Sequence, residues 1–143
     1  MCEFVIRPPE EKDIPALRDL YLETRKSTFD WLHSKTMALQ DFDRDTQGER
    51  ILCAYLKEKP VGFLSYWEAD RFIHCLYVHP SFQKRGIGQQ LLMQAVLQFG
   101  TPLTLKCLKQ NRSALHFYHS LGWQIAGQGI CEDGPWYLLQ YGE

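Results

Sequence analysis

The chain has 143 residues, 45% of them hydrophobic and 23% charged, with a formal net charge of -1. That size and balance fit one globular domain over residues 1–143 with its own core, and exclude a disordered or low-complexity chain. The near-neutral charge offers no basic excess for a phosphate backbone, and no apolar run reaches membrane-spanning length, so neither nucleic acid nor a membrane is an expected partner. Five cysteines, without Cys-x-x-Cys spacing, fit reduced and mostly buried thiols in a cytoplasmic protein. The opening Met-Cys-Glu-Phe-Val-Ile-Arg lacks a signal-peptide pattern. No three histidines show metal spacing with a carboxylate, so no metal is expected.

Residues 4–7 read as a first strand, followed by a surface turn at Pro8 and Pro9. Asp13 is placed to cap a helix with Pro15 in its first turn, and Leu17, Leu20, Tyr21 and Thr24 share one face. Residues 29–33, Phe-Asp-Trp-Leu-His, break that helix and are unusually aromatic for a loop, with Phe29 and Trp31 suited to fill core. A second helix is expected from near Ser34, carrying Met37 and Leu39. Asp41, Asp43 and Asp45 alternate as in a calcium loop but lack its Gly and Glu, so they read as a solvated face.

Residues 51–56 and 61–67 are apolar strands joined by a turn at Lys57-Glu-Lys-Pro60. Glu68 to Arg71 turns into residues 72–78, Phe-Ile-His-Cys-Leu-Tyr-Val, a buried strand that Pro80 ends. Strand alternation places His74 on one face with Phe72, Leu76 and Val78. Gln83-Lys-Arg-Gly86-Ile-Gly88 then leads into a helix whose apolar face is Ile87, Leu91, Leu92, Ala95, Val96 and Phe99. Gly100 and Pro102 stop it. Residues 103–107 form a fifth strand, parallel to the fourth because a helix makes the crossover. A last helix lies within residues 111–120, with Gly122 as its turn residue. Residues 123–131 and 136–141 pair across Asp133-Gly134. The expected fold is α/β: a mixed, mostly antiparallel twisted sheet of about seven strands, flanked on both faces by about four helices.

Gly86 and Gly88 sit where the chain must turn tightly or admit a ligand to its backbone. Free N–H groups at a helix start, beside Lys84 and Arg85, suit anionic phosphate oxygens. An ordinary strand-to-helix turn would look the same from these residues alone. No Gly-Lys-Ser/Thr follows, and the third glycine of a dinucleotide fingerprint is missing.

Two blocks together resemble the GCN5-related N-acetyltransferase (GNAT) superfamily. The first is Leu76-Tyr-Val-His-Pro80 followed by Gln83-Lys-Arg-Gly86-Ile-Gly88, similar to the acetyl-CoA motif Gln/Arg-x-x-Gly-x-Gly/Ala. The second is Asn111-Arg-Ser-Ala-Leu-His-Phe-Tyr118-His-Ser-Leu-Gly122-Trp123. The resemblance covers nearly the whole chain and implies the acyl-CoA N-acyltransferase fold, whose fourth and fifth strands splay apart around acetyl-CoA. It implies transfer of the acetyl group to a primary amine of a small molecule or peptide by direct attack in a ternary complex, with the small molecule slightly favoured. The alternative is a non-catalytic acyl-CoA sensor or protein-interaction module of the same fold; on either reading a monomer or homodimer is expected.

The resemblance also assigns residues. The backbone of Leu76, Tyr77 and Val78 would hold the pantetheine arm and thioester carbonyl. Gln83 belongs to the same cofactor loop, and the N–H groups of Lys84, Arg85, Gly86, Ile87, Gly88 and Gln89 would take the diphosphate. Asn111 would contact the arm, cap the last helix, or both. Tyr118 would donate a proton to the leaving thiolate, unless it only packs under the sheet. His74 is the candidate base, since imidazole titrates near neutrality; the competing role is a hydrogen-bonded strand histidine. Some relatives place a glutamate at the position of Phe72, and this chain departs from them there. Phe29, Trp31, Trp67 and Glu68 are candidate acceptor contacts, the glutamate as a charge attracting a cationic amine or simply as part of a solvated turn.

Overall fold

The computed structural model describes residues 4–28 and 37–143. Among these, seven strands form one sheet: β1 (Val5–Arg7), β2 (Arg50–Leu56), β3 (Lys59–Trp67), β4 (Phe72–Val78), β5 (Leu103–Leu108), β6 (Gln124–Cys131) and β7 (Gly134–Tyr141). The spatial order is β1-β2-β3-β4-β5-β7-β6. All neighbouring pairs are antiparallel except β4 and β5. The helices are α1 (Ile14–Thr28), α2 (Asp41–Asp45), α3 (Ile87–Phe99) and α4 (Arg112–Ser120).

Two cores lie on opposite sides of the sheet. Leu17, Leu20 and Tyr21 of α1 and Phe42 of α2 pack on Cys53, Tyr55, Phe63 and Cys75. Ile87, Leu91, Leu92 and Ala95 of α3 pack with Leu52, Leu64, Ile73, Leu103 and Leu105. Leu91 is completely buried, and such a side chain stabilises the fold by about 2 kcal/mol. The period-3.6 pattern of α3 is therefore what holds its N-terminus against the end of β4.

Three sequence expectations are corrected on the α1 side. Asp13 is not the helix cap. Its carboxylate ends a short turn at Glu11–Asp13, accepting from the Glu10 N–H at 2.9 Å and the Tyr55 hydroxyl at 2.7 Å. Met37 and Leu39 lie outside any helix, and the helical segment starts only at Asp41. The acidic run is solvated only at Asp43, which is exposed, whereas Asp41 is buried and Asp45 half-buried. Arg25 donates to Asp41 at 3.1 Å, Arg18 to Asp43 at 2.7 Å and the Tyr21 hydroxyl to Asp45 at 2.7 Å. Each carboxylate of α2 thus meets a donor presented by α1, which makes this five-residue helix a clamp on its neighbour.

A fourth correction concerns β4. The register against β3 shifts between Ser65 and Tyr66: Ser65 faces Cys75, whereas Tyr66 faces Ile73. His74 is left over as a bulge. Alternation consequently breaks, and Ile73 shares a core with Leu76 while Cys75 joins the opposite one. His74 is not in a regular row with Leu76 and Val78; its ring turns to Glu49.

Candidate active site

Strands β4 and β5 pair only at their beginnings, Phe72 with Thr104 and Ile73 with Leu105. Beyond Ile73 they diverge. The β4–β5 pairing does not continue past Ile73, so among the strands the stretch Leu76–Val78 pairs with β3. Backbone N–H and C=O groups are obligatory hydrogen-bonding groups. A ligand that reaches them is bound through the main chain, whatever the side chains are.

A cavity of about 1420 Å³ runs along this gap. One end is the N-terminus of α3. Gly86 caps it with φ 85° and no side-chain cap bond, and a Cβ there would meet nothing within 4 Å. The first-turn N–H groups of an α-helix have no intrahelical partner, and the helix dipole adds positive potential. Lys84, also left-handed at φ 65°, bends the approach. Arg85 lies 5.3 Å from the Phe82 ring centre. The Gln83 side-chain amide donates to the Val78 carbonyl at 2.9 Å, so this side chain fastens the loop to the end of β4. At Gly88 a Cβ would fill the space between the loop and its neighbours, in van der Waals contact 3.4 Å from Phe117 and 3.8 Å from Val78.

Helix α4 forms the opposite wall. Asn111 caps it, accepting from the Ala114 N–H at 3.3 Å, and also lines the cavity. Tyr118 is buried, edge-on to Trp123 at 5.8 Å and to Phe117 at 5.3 Å. Burial raises its phenol above the ordinary value of 10.0, so it remains protonated at neutral pH. Cys107 also lines the cavity, but burial pushes its thiol up to about 11. A thiol held neutral is a poor nucleophile, which disfavours an acyl-cysteine route.

The structure brings Leu76, Tyr77, Val78, Gln83, Lys84, Gly86, Ile87, Gly88, Gln89, Asn111, Tyr118 and His74 onto one cavity. It does not bring Arg85, Trp67 or Glu68 into that lining. Glu68 pairs with Arg50 at 2.9 Å and lines a separate small hollow with Tyr66, Arg71 and Phe99. The reason is positional, since the turn after β3 is at the closed end of the β4–β5 pair. Phe29 and Trp31 lie outside the described residues. Sequence reasoning missed Lys106, Glu132 and Asp133, which line the cavity from β5 and the β6–β7 turn. Their only signal was a hairpin turn carrying two acids. It also missed Glu49, which no motif marks. Among the described residues, no group of three His, Cys, Asp or Glu side chains is placed to hold a metal ion. No described helix is long and apolar enough to cross a membrane.

A mixed sheet that opens after two parallel pairs, facing an uncapped helix N-terminus across a long cavity, defines the class of acyl-CoA N-acyltransferases. Residues 14–123 match the Acetyltransferase (GNAT) family, and the chain belongs to it. It is 31% identical over 131 residues to the peptidyl-lysine N-acetyltransferase YiaC of Escherichia coli, covering 85% of this chain and 84% of YiaC. To the E. coli peptidyl-lysine N-acetyltransferase YjaB it is 24% identical over 131 residues, covering 90% and 87%. The apo-YjaB solution structure superposes with a TM-score of 0.81 at 22% identity, covering 97% of each chain. The PaiA N-acetyltransferase of Thermoplasma acidophilum, crystallised with coenzyme A, superposes at 0.78 with 15% identity, covering 99% of each chain.

Proposed function

We propose that this protein transfers the acetyl group of acetyl-CoA to a primary amine by direct attack in a ternary complex. The observation that carries the proposal is one cavity joining four features: the uncapped N-terminus of α3, the stretch of β4 from which β5 diverges, His74 and Tyr118. Bound acetyl-CoA supplies an acetyl thioester activated toward amines. The first-turn N–H groups of α3 fit its diphosphate, and the open edge at Leu76–Val78 fits an amide-bearing arm and a thioester carbonyl. Donors fixed before reaction stabilise developing negative charge without reorganising.

The amine must lose a proton, and His74 is the cavity-lining histidine whose Nε2 has no hydrogen-bond partner among the described residues. Tyr118 is the donor for the leaving sulfur. An ordinary thiol titrates near 8.5, far below a buried phenol. Tyr118 therefore stabilises the departing thiolate chiefly by donating a hydrogen bond, and solvent supplies the final proton. Holding both reactants in one cleft supplies much of the rate.

A lysine amine of a peptide is the acceptor we place first, because the curated relatives are named peptidyl-lysine N-acetyltransferases. A compact small-molecule amine is the second choice. The sensor reading is less favoured, because an acid and a base on the same cavity have no use in binding alone. The test is a panel of lysine peptides and small amines with acetyl-CoA, read by thiol release and by the mass of the product. Peptide acetylation supports the reading. Tight acetyl-CoA binding without turnover of any amine moves the protein to the sensor class.

A further inference from the structure

Glu49 is a carboxylate with an unusual situation. Its side chain is only 8% exposed, and among the described residues no lysine or arginine lies within ion-pair distance. Its Oε1 is buried without a hydrogen-bond partner there. Its Oε2 lies 2.9 Å from Nδ1 of His74. Burying a carboxylate is costly unless it is paired, and the pairing here is with one imidazole. That imidazole lines the cavity and stands on the β4 bulge, a device that re-aims a side chain next to a site.

His79, just past the end of the same strand and outside the cavity lining, shows what a purely structural ring looks like. His79 uses both nitrogens: Nδ1 accepts from the Ser81 N–H at 3.1 Å, and Nε2 bonds Glu23 at 2.9 Å. Among the described residues, His74 bonds through Nδ1 alone. A carboxylate at Nδ1 selects the tautomer that carries its proton there, which leaves Nε2 with a lone pair. The Phe72 ring, 6.4 Å from the imidazole centre, flanks it.

We propose that Glu49 is a positioning residue for acetyl transfer. Ionised, it accepts the Nδ1–H of His74 and leaves Nε2 to take a proton from the acceptor amine. The imidazolium so formed keeps its Nδ1–H on the carboxylate, which stays ionised throughout. The Nε2 proton passes to solvent after the product leaves. The inference rests on the amine-acetylation reading, which supplies the proton to be removed.

The experiment compares wild type, Glu49→Gln, His74→Ala and the double variant. Acceptor kcat/KM is measured at saturating acetyl-CoA, with acetyl-CoA affinity by calorimetry. Glutamine keeps the shape but not the charge. Glu49→Gln is expected to lower kcat about 10- to 100-fold, the usual scale for a residue acting through its neighbour, at unchanged acetyl-CoA affinity. The double variant is expected to be no slower than His74→Ala, because Glu49 acts only through that ring. Nitrogen-15 NMR of histidine-labelled wild type, with the imidazoles neutral, is expected to show the His74 proton on Nδ1. This last measurement needs no variant to fold. Wild-type turnover in Glu49→Gln, additive losses in the double variant, or a wild-type proton on Nε2 overturns the role of Glu49 and leaves the acetylation reading standing. Failure of wild type itself to acetylate any amine overturns both.

Discussion

Removing one oxygen atom from Tyr118 separates holding acetyl-CoA from using it. Tyr118→Phe keeps the ring and its edge-on contacts with Trp123 and Phe117 at 5.8 and 5.3 Å. Each such contact contributes about 1 kcal/mol, so the melting temperature should change little. The diphosphate and arm would be held by backbone groups of α3 and β4, so acetyl-CoA affinity should also be near normal. What goes is the donor to sulfur as charge gathers there, a loss on the scale of a general acid. We expect kcat to fall about 100-fold, roughly 2.7 kcal/mol of transition-state stabilisation. Because burial raises the phenol pKa, the wild-type rate should show no loss from Tyr118 ionisation up to about pH 10. The assay is steady-state turnover beside a binding titration, with single-turnover rates in case product release hides the chemical step. Full single-turnover activity in the variant would refute the assignment and leave sulfur protonation to water.

Gly88→Val places a branched side chain between Val78 and Phe117, whose nearest atoms already lie 3.8 and 3.4 Å from the new Cβ. Acetyl-CoA affinity should fall at least tenfold, about 1.4 kcal/mol, in a protein that calorimetry and circular dichroism show to be folded; unchanged affinity would remove the diphosphate loop. His74→Ala should lower kcat/KM mainly below the acceptor's own pKa and lose its effect where the free amine is abundant; identical pH profiles would leave His74 a packing role. Asp41→Asn breaks the buried pair with Arg25, whose side chains are 9% and 11% exposed, and should cost about 3 kcal/mol in denaturant unfolding. At Asp41, burial works to raise the carboxyl, but the Ala38 N–H and Arg25 outweigh it, and its folded pKa lies below the ordinary 3.8. Its stabilisation is thus complete above 3.8 and is lost as the pH falls through the folded value, an acid dependence the variant should lack.

The sequence by itself determined the strands, α3, α4, the crossover and the glycine-bearing loop between β4 and α3. Each is written in local signals: a β-rich apolar run in residues 72–78, period 3.6 from Ile87 to Phe99, and glycines where φ turns positive at Gly86 and Gly100. Tyr118 and Asn111 followed from a motif on one short helix. Only the tertiary structure decided the rest. The bulge at His74 depends on where Ser65 and Tyr66 of another strand come into register. Glu49 meets His74 across 25 residues, and Asp41, Asp43 and Asp45 meet donors on α1 across 16, 25 and 24. Trp67 and Glu68 look adjacent to the site along the chain but lie at the closed end of the splayed pair. Periodicity reports which face a residue takes within its own element. Which groups share a cavity depends on register and on contacts between elements, and these leave no period in the chain.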